Sequence, residues 1–237
     1  MYKQHNEFRN DKILNLALWR YMDLWKFLDL LKSSKLYFPN VNNFGDLNEG
    51  RIPEKIFNMM EEDSIKQFGN TNFAETYKVG LEQYRPRIFI SSWTSSQSES
   101  FAFWKMYAKD KLGVAVKSNF KLICDSFLNF PEDIYIGEVN YYNNLKPYYR
   151  VGNIYIAYLT KHDYYSFESE VRCIYVSRND LNLAGISIDI KLDVLIEEIY
   201  ISKQAYNVGL EDVIKAIFES KGYSIPIKIS GINDNWL

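Results

Sequence analysis

The sequence is poor in the residue types that most often build covalent or metal-bound sites. It contains two cysteines, Cys124 and Cys173, and two histidines, His5 and His162, among 237 residues. The cysteines lack the paired spacing of a zinc site, and their scarcity is typical of a protein from a reducing compartment. A histidine-rich metal centre is excluded, and a Ser-His-Asp triad would have to use one of the two histidines.

Long apolar runs and an excess of basic charge are also missing. No stretch reaches the roughly 18 apolar residues that a membrane-spanning helix needs. The polar segment from Met1 to Lys12 does not resemble a signal peptide. The formal net charge of -2 argues against nucleic-acid binding through a broad basic surface. We therefore expect a cytoplasmic protein that does not act at a membrane.

Aromatic residues are abundant instead, with 19 Tyr, 15 Phe and 5 Trp making up 16% of the chain. Such side chains pack cores and interfaces, and exposed ones stack on bases or sugars. Packing is the simpler role for most of them, although an aromatic surface for a partner protein is possible. The hydrophobic and charged fractions, 47% and 24%, are ordinary for a globular protein, and the length favours one domain over residues 1–237.

The pattern along the chain predicts an α+β fold, with a mixed and mostly antiparallel sheet and several short helices. Asp23 and Asn207 are predicted to cap helices. Ser96 and Glu99 form a capping box that predicts another helix starting at that point. Strands are predicted at 87–93, 113–116, 134–141, 168–176, 186–190, 198–202 and 225–230.

The most informative segment is the acidic stretch from Phe167 to Arg172, which leads into an apolar run. In an extended strand, alternate side chains lie on the same face. Glu168, Glu170 and Arg172 would therefore share a face, with two carboxylates beside a guanidinium at the start of a buried strand. Carboxylates are costly to bury without a partner. The pair therefore indicates chemistry, although a structural ion pair with Arg172 would also account for it.

The chain carries a set of motifs in a fixed order. They are Leu18-Trp19-Arg20-Tyr21, the segments 35–38 and 44–50, Ile90-Ser91-Ser92-Trp93, the segments 103–108 and 113–114, Lys161 upstream of the segment 167–172, and Glu197-Glu198-Ile199-Tyr200-Ile201. Over about residues 18–230 this set resembles the bacterial domain-of-unknown-function family numbered 2971. Where that family usually has Phe-Asn-Asp-Pro-Phe-Glu, this chain has Phe-Gly-Asp-Leu-Asn-Glu, which keeps its Asp and its final Glu.

A second similarity is to toxin-type ADP-ribosyltransferases, which carry an Arg on an early strand, a Ser-Thr-Ser-like segment and a late Glu-x-Glu strand. The corresponding order here is Arg20, then Ser91-Ser92-Trp93-Thr94, then Glu168-Ser169-Glu170. The resemblance implies that NAD is the substrate and that an unknown protein or nucleic acid is the acceptor. It implies catalytic roles for Glu170 and Glu168, and NAD binding by Arg20, Tyr21, Ser91, Ser92 and Thr94.

Within that resemblance each residue type suits its role. An arginine fork makes paired hydrogen bonds to phosphate oxygens. Glu170 would bind the ribose 2′-hydroxyl and stabilise positive charge on the sugar as nicotinamide leaves, as carboxylates do in glycosidases. Glu168 would orient or deprotonate the acceptor. Such an enzyme is expected to act as a bacterial toxin or a phage-defence effector.

Two other functions are compatible with the same residues. A metal-dependent nuclease would hold Mg²⁺ with Asp46, Glu49, Glu168 and Glu170. A non-catalytic module would use the aromatic residues as a partner surface. For Arg20, a structural ion pair with a carboxylate such as Asp46 or Glu49 is the alternative to phosphate binding.

Overall fold

A computed structural model describes residues 1–6, 8, 10, 12–46, 48–69, 72–108, 112–143 and 154–232. The strands in that part of the chain are β1 (Ala17–Met22), β2 (Lys35–Pro39), β3 (Ile88–Ser95), β4 (Val114–Asn119), β5 (Tyr135–Glu138), β6 (Asn140–Tyr142), β7 (Thr160–His162), β8 (Glu170–Val176), β9 (Gly185–Asp189), β10 (Glu198–Ile201) and β11 (Ile227–Ile229).

The helices in the same ranges are short to medium in length. None of these helices has both the length and the apolar character needed to cross a membrane. They are α1 (Leu24–Ser33), α2 (Glu54–Phe68), α3 (Asn72–Tyr84), α4 (Phe101–Tyr107), α5 (Phe120–Ser126), α6 (Ile154–Tyr158), α7 (Leu192–Leu195), α8 (Lys203–Asn207) and α9 (Leu210–Lys221), with 3-10 turns at Val41–Asn43, Arg85–Arg87 and Asp163–Glu168.

Seven strands form the central sheet, in the order β11-β10-β4-β1-β3-β8-β5. Neighbouring strands are antiparallel except for β10 and β11, which are parallel. Two small sheets flank it, an antiparallel pair of β2 and β9 and a parallel pair of β6 and β7. The predicted α+β class with a mixed, mostly antiparallel sheet is therefore confirmed.

Both faces of the central sheet are covered. On one face Leu18, Trp93 and Val171 belong to the largest core, together with buried residues of α1, α5, α7 and α9. On the other face Ile90 and Ile174 pack with residues of α3 and α6. Successive residues of each strand therefore serve two different cores, which explains the nearly continuous apolar runs in β3 and β8.

Local capping signals predict one of three helix starts correctly. Asp23 caps α1, where its carboxylate accepts a hydrogen bond from the Lys26 backbone at 2.9 Å. The capping box at Ser96 is wrong: α4 begins only at Phe101, because the Glu99 carboxylate accepts instead from Trp104 Nε1 at 2.9 Å.

The predicted cap at Asn207 is also wrong. Asn207 is the last residue of α8, and α9 begins at Leu210. Gly209 separates the two helices with φ 81, a left-handed conformation that glycine adopts without strain. Asn207 therefore precedes a break between two helices and does not start a helix.

The most unusual feature of the sheet is a fork between β1 and β3. Within these two fully described strands, pairing is confined to Leu18 with Ser95 and Trp19 with Thr94. By contrast, β1 pairs with β4 along its whole length, over six residue pairs. The start of β3 lies instead beside the end of β2, where Asn40 forms a bridge to Phe89. The sheet therefore opens at its centre after Trp19.

Candidate functional site

A cavity of about 920 Å³ lies at the fork between β1 and β3. Its volume is at the upper end of the range of roughly 300–1,000 Å³ that small-molecule and cofactor sites occupy. Five of the seven residues that the sequence singles out line it: Arg20 and Tyr21 from β1, Ser92 from β3, and Glu168 and Glu170. Residues far apart in the sequence thus meet around one space.

Glu168 and Glu170 do not lie on the same strand, which corrects the sequence prediction. The strand β8 begins at Glu170, whereas Glu168 ends the 3-10 turn before it. Between them Ser169 has φ 42, and this left-handed residue breaks the alternation of an extended chain. Thr94 fixes the turn, because its hydroxyl donates to the Glu168 carbonyl at 2.5 Å. Glu170 and Arg172 do share a face of β8.

Arg172 is fully buried and binds two carboxylates. Its Nη1 and Nη2 donate to the two carboxylate oxygens of Glu49, at 2.7 and 2.9 Å. Its Nε donates to Glu170 Oε2 at 2.7 Å, and Nη1 also donates to the Tyr158 carbonyl at 2.7 Å. The two-pronged contact with Glu49 has the geometry in which arginine binds a carboxylate most strongly.

Lys161 connects the remaining carboxylate to this group. Its Nζ lies 2.7 Å from Glu168 Oε2 and 3.1 Å from Glu49 Oε1, and it is buried like its two partners. We call the five side chains the charge network: Glu49, Lys161, Glu168, Glu170 and Arg172. With every member ionised it carries three negative charges and two positive ones.

Burial and ion pairing act differently on the carboxylates of the charge network. Burial raises the pKa of Glu168 above its usual value, although Lys161 donates a hydrogen bond to it. Burial alone would also raise the pKa of Glu49, but the charges and hydrogen bonds of Arg172 and Lys161 outweigh it and hold the pKa below its usual value. Glu168 is thus the more easily protonated of the two.

Arg20 differs from Arg172 because no ion pair of its guanidinium occurs in the described part of the chain. It hydrogen-bonds to Ser91 Oγ and to the Tyr37 carbonyl, the latter at 3.1 Å, and stands 5.9 Å from the Trp93 ring. Burial lowers its pKa to about 10, which leaves it cationic at neutral pH. The pairing with Asp46 or Glu49 considered from the sequence is not found within these residues.

Ser91 and Thr94 stand behind the cavity wall, and the other predicted residues line it. Ser91 is buried on the face of β3 opposite to Ser92, where it contacts Arg20. Thr94 is buried opposite Glu170 in the pairing of β3 with β8. Tyr21 lines the cavity, and its hydroxyl accepts a hydrogen bond from the Ser100 backbone at 2.8 Å.

Several lining residues escape the sequence reasoning. Trp25 at the start of α1 is 74% exposed and borders the cavity, and Tyr107 and Tyr165 border it near the carboxylates. Lys161 and Glu49 appear in the sequence motifs, but nothing local identifies them as partners of Glu168 and Arg172. Glu49 is 123 positions from Arg172, and only the folded chain brings them together.

Three of the four carboxylates proposed for a metal-dependent nuclease, all except Asp46, are already bound by cations. Glu49, Glu168 and Glu170 all contact Lys161 or Arg172. Across the described ranges, no group of three or more His, Cys, Asp or Glu side chains is arranged to hold a metal ion. The donor set therefore does not favour a metal site, and the nuclease and interaction-module hypotheses stay predictions.

Comparison of the chain with protein-family models, with curated proteins and with solved structures found no match. The resemblances to family 2971 and to toxin-type ADP-ribosyltransferases therefore stay predictions that rest on the motifs. The geometry of the cavity is the remaining guide to function.

Proposed function

We propose that the protein cleaves the bond between nicotinamide and ribose in NAD, and transfers the ADP-ribose to water or to an acceptor. One observation carries the proposal: Arg20, Ser92 and Glu170 line a single cavity large enough for a dinucleotide. Cleavage of NAD requires a cation for the diphosphate and a carboxylate at the ribose, and the cavity offers both.

Arg20 binds the phosphate side of NAD in this proposal. It is partly buried and has no carboxylate partner among the described residues. A desolvated guanidinium without a counter-ion is a strong site for an anion, because phosphate oxygens accept paired, charge-assisted hydrogen bonds from it. Trp25 borders the same cavity and offers a ring on which the adenine base stacks.

Glu170 acts at the ribose. Both of its contacts with Arg172 fall on Oε2, and Oε1 accepts no hydrogen bond from the described residues. Oε1 is therefore able to accept a hydrogen bond from the ribose 2′-hydroxyl. When the C–N bond breaks, its electron pair goes to the nicotinamide nitrogen, and the carboxylate stabilises the positive charge that develops on the sugar.

Glu168 removes the proton of the attacking group. Its raised pKa makes its carboxylate a better base than an exposed glutamate, and it lies in the lining of the same cavity. Water or an acceptor hydroxyl forms the new bond to the ribose carbon and passes its proton to Glu168. Burial raises the pKa of Tyr107, and the nearby charges of Glu168 and Glu170 raise it further. In this proposal the ring of Tyr107 packs against nicotinamide.

Nicotinamide release from NAD tests the proposal. Glu170→Gln keeps the shape of the side chain and removes its charge, so the rate should fall by roughly a thousandfold. The matched control is Glu198→Gln, which alters another paired carboxylate that does not line this cavity and should leave the rate unchanged. A folded wild-type protein that neither releases nicotinamide nor binds NAD by calorimetry would overturn the proposal.

An enzyme of this kind consumes a cofactor that every cell needs, which suits the toxin or phage-defence role predicted from the sequence. Adding candidate protein or nucleic-acid acceptors to the same assay distinguishes the two reactions. A glycohydrolase yields free ADP-ribose under all conditions, whereas a transferase attaches it to the acceptor.

A further inference from the structure

We infer that Glu49 is a positioning residue for the proposed NAD reaction, and that its charge neutralises Arg172 so that Glu168 and Glu170 present a net negative charge to the cavity. The inference rests on the proposed function and extends it to the loop before α2. It also answers the question that the sequence raises, since Arg172 beside the two carboxylates would otherwise neutralise part of their charge.

Arg172 contacts both carboxylate oxygens of Glu49 but only one oxygen of Glu170, as this inference requires. Glu49 receives one hydrogen bond from each terminal nitrogen of Arg172, and it is only 5% exposed. Glu170 uses a single oxygen for all its contacts with Arg172. The guanidinium is thus matched to Glu49 as a pair, and it orients Glu170 without occupying its second oxygen.

The backbone holds Glu49 in place by a close approach to α6. Gly50 has φ 71, and a Cβ atom built on it would lie 2.0 Å from the Tyr158 ring. Only glycine fits that position without displacement. Because Tyr158 also accepts a hydrogen bond from Arg172 through its carbonyl, one residue fixes both members of the ion pair.

The net charge of the charge network explains why Glu49 should affect the reaction. With Glu49 present, the charge network has one more negative charge than positive. Without it, Lys161 and Arg172 balance Glu168 and Glu170. The positive charge that develops on the ribose in the transition state would then face a network with no net charge. Because this charge is absent from the bound substrate, the loss should affect the transition state more than substrate binding. Arg20, which binds the phosphates, stands on β1 outside the network.

The test is a comparison of the kinetics of nicotinamide release for Glu49→Gln and for the double variant Glu49→Gln with Arg172→Gln. For the single variant, kcat should fall by about tenfold or more, whereas KM for NAD should stay within about threefold of wild type. The double variant again has one more negative charge than positive, so its kcat should recover to at least several times that of the single variant. Glu198→Gln is the control for a paired glutamate elsewhere.

The double variant keeps the inference testable if the single variant does not fold, because removing both members of a buried ion pair is tolerated better than removing one. A folded double variant whose kcat is as low as that of Glu170→Gln overturns the role of Glu49. An unchanged kcat in Glu49→Gln, or a loss confined to KM, also overturns it. Wild-type protein without activity overturns the proposed function itself, before any variant is compared.

Discussion

Two glutamates in this protein are each held between two cations, in opposite surroundings. Glu49 lies in the buried charge network between Lys161 and Arg172, at 3.1 and 2.7 Å. Glu198 lies near the surface on β10, with Lys117 at 3.0 Å and Lys228 at 2.5 Å. The two clusters have similar ion pairs, but of these two glutamates only Glu49 lines the cavity at the fork between β1 and β3.

The difference lies in the charge that remains after pairing. Around Glu198 two lysines face Glu197 and Glu198, so the positive and negative charges are equal. Burial opposes ionisation there, but hydrogen bonds from both lysines and from Tyr200 hold the pKa of Glu198 at about 2. That cluster binds β10 to its neighbours, β4 and β11. The buried network retains a surplus negative charge, which is the property that a reacting cation requires.

The largest expected difference between the clusters is in stability. Arg172→Gln leaves the buried Glu49 with Lys161 as its remaining ion-pair partner among the described residues, and it removes the partner of the partly buried Glu170. It should therefore lower the free energy of unfolding by about 3–5 kcal/mol. Lys117→Gln, its surface counterpart, should cost at most about 1 kcal/mol. Urea denaturation at neutral pH measures both values. Equal losses would mean that burial does not separate the two clusters.

An intermediate effect is expected for NAD binding, because Arg20 lines the cavity without an ion-pair partner among the described residues, whereas Lys117 pairs with Glu197 and Glu198. Arg20→Gln should weaken NAD binding by about 10–100-fold, the loss expected for hydrogen bonds to a charged group of about 1.5–3 kcal/mol. Lys117→Gln should leave the affinity unchanged. Calorimetry in the Glu170→Gln background, where NAD is not consumed, gives both affinities. If the Arg20 variant bound NAD as tightly as the background protein, Arg20 would not be a ligand of the NAD phosphates.

The smallest effect is a difference in how stability depends on pH. Glu198 has a pKa lowered from 4.5 to about 2, so its contribution is present above pH 4.5 and is lost as the pH falls toward 2. Glu168 has a raised pKa, so the folded state holds that proton more tightly. Its contribution is largest below pH 4.5 and is lost as the pH rises through the raised pKa.

Urea denaturation of Glu198→Gln and Glu168→Gln between pH 3 and 7 separates these two cases. Relative to wild type, the Glu198 variant should become less stable as the pH rises, by at most about 1 kcal/mol. The Glu168 variant should change in the opposite direction, because glutamine has no charge to desolvate. Slopes of the same sign would show that the two carboxylates have similar environments.

Local sequence features predicted the fold class well, because they depend on neighbouring residues. The apolar runs of β3 and β8 and the cap at Asp23 can be recognised from neighbouring residues alone. Features with long-range causes were missed. Glu99 looked like part of a capping box, but it binds Ser230, 131 positions away.

The site could be predicted only in part for the same reason. The acidic pair and Arg172 are visible as neighbours in the sequence, whereas the partnership with Glu49 depends on the folding of the intervening chain. A serine gives no warning of positive φ, so Ser169 broke the expected strand between Glu168 and Glu170. The fork in the sheet has no local signal at all, since β1 and β3 each read as ordinary strands.

The distance along the chain between Glu49 and Arg172 also governs when the site can exist. Loop closure over 123 positions is slow compared with the formation of helices and local turns, so contacts of this kind form late in folding. During synthesis, a chain that ends before the 3-10 turn at Asp163–Glu168 carries Arg20 and Ser92 but neither Glu168 nor Glu170. Under the proposed function, the nascent chain is harmless to the NAD around it, and activity begins only when β8 pairs with β3.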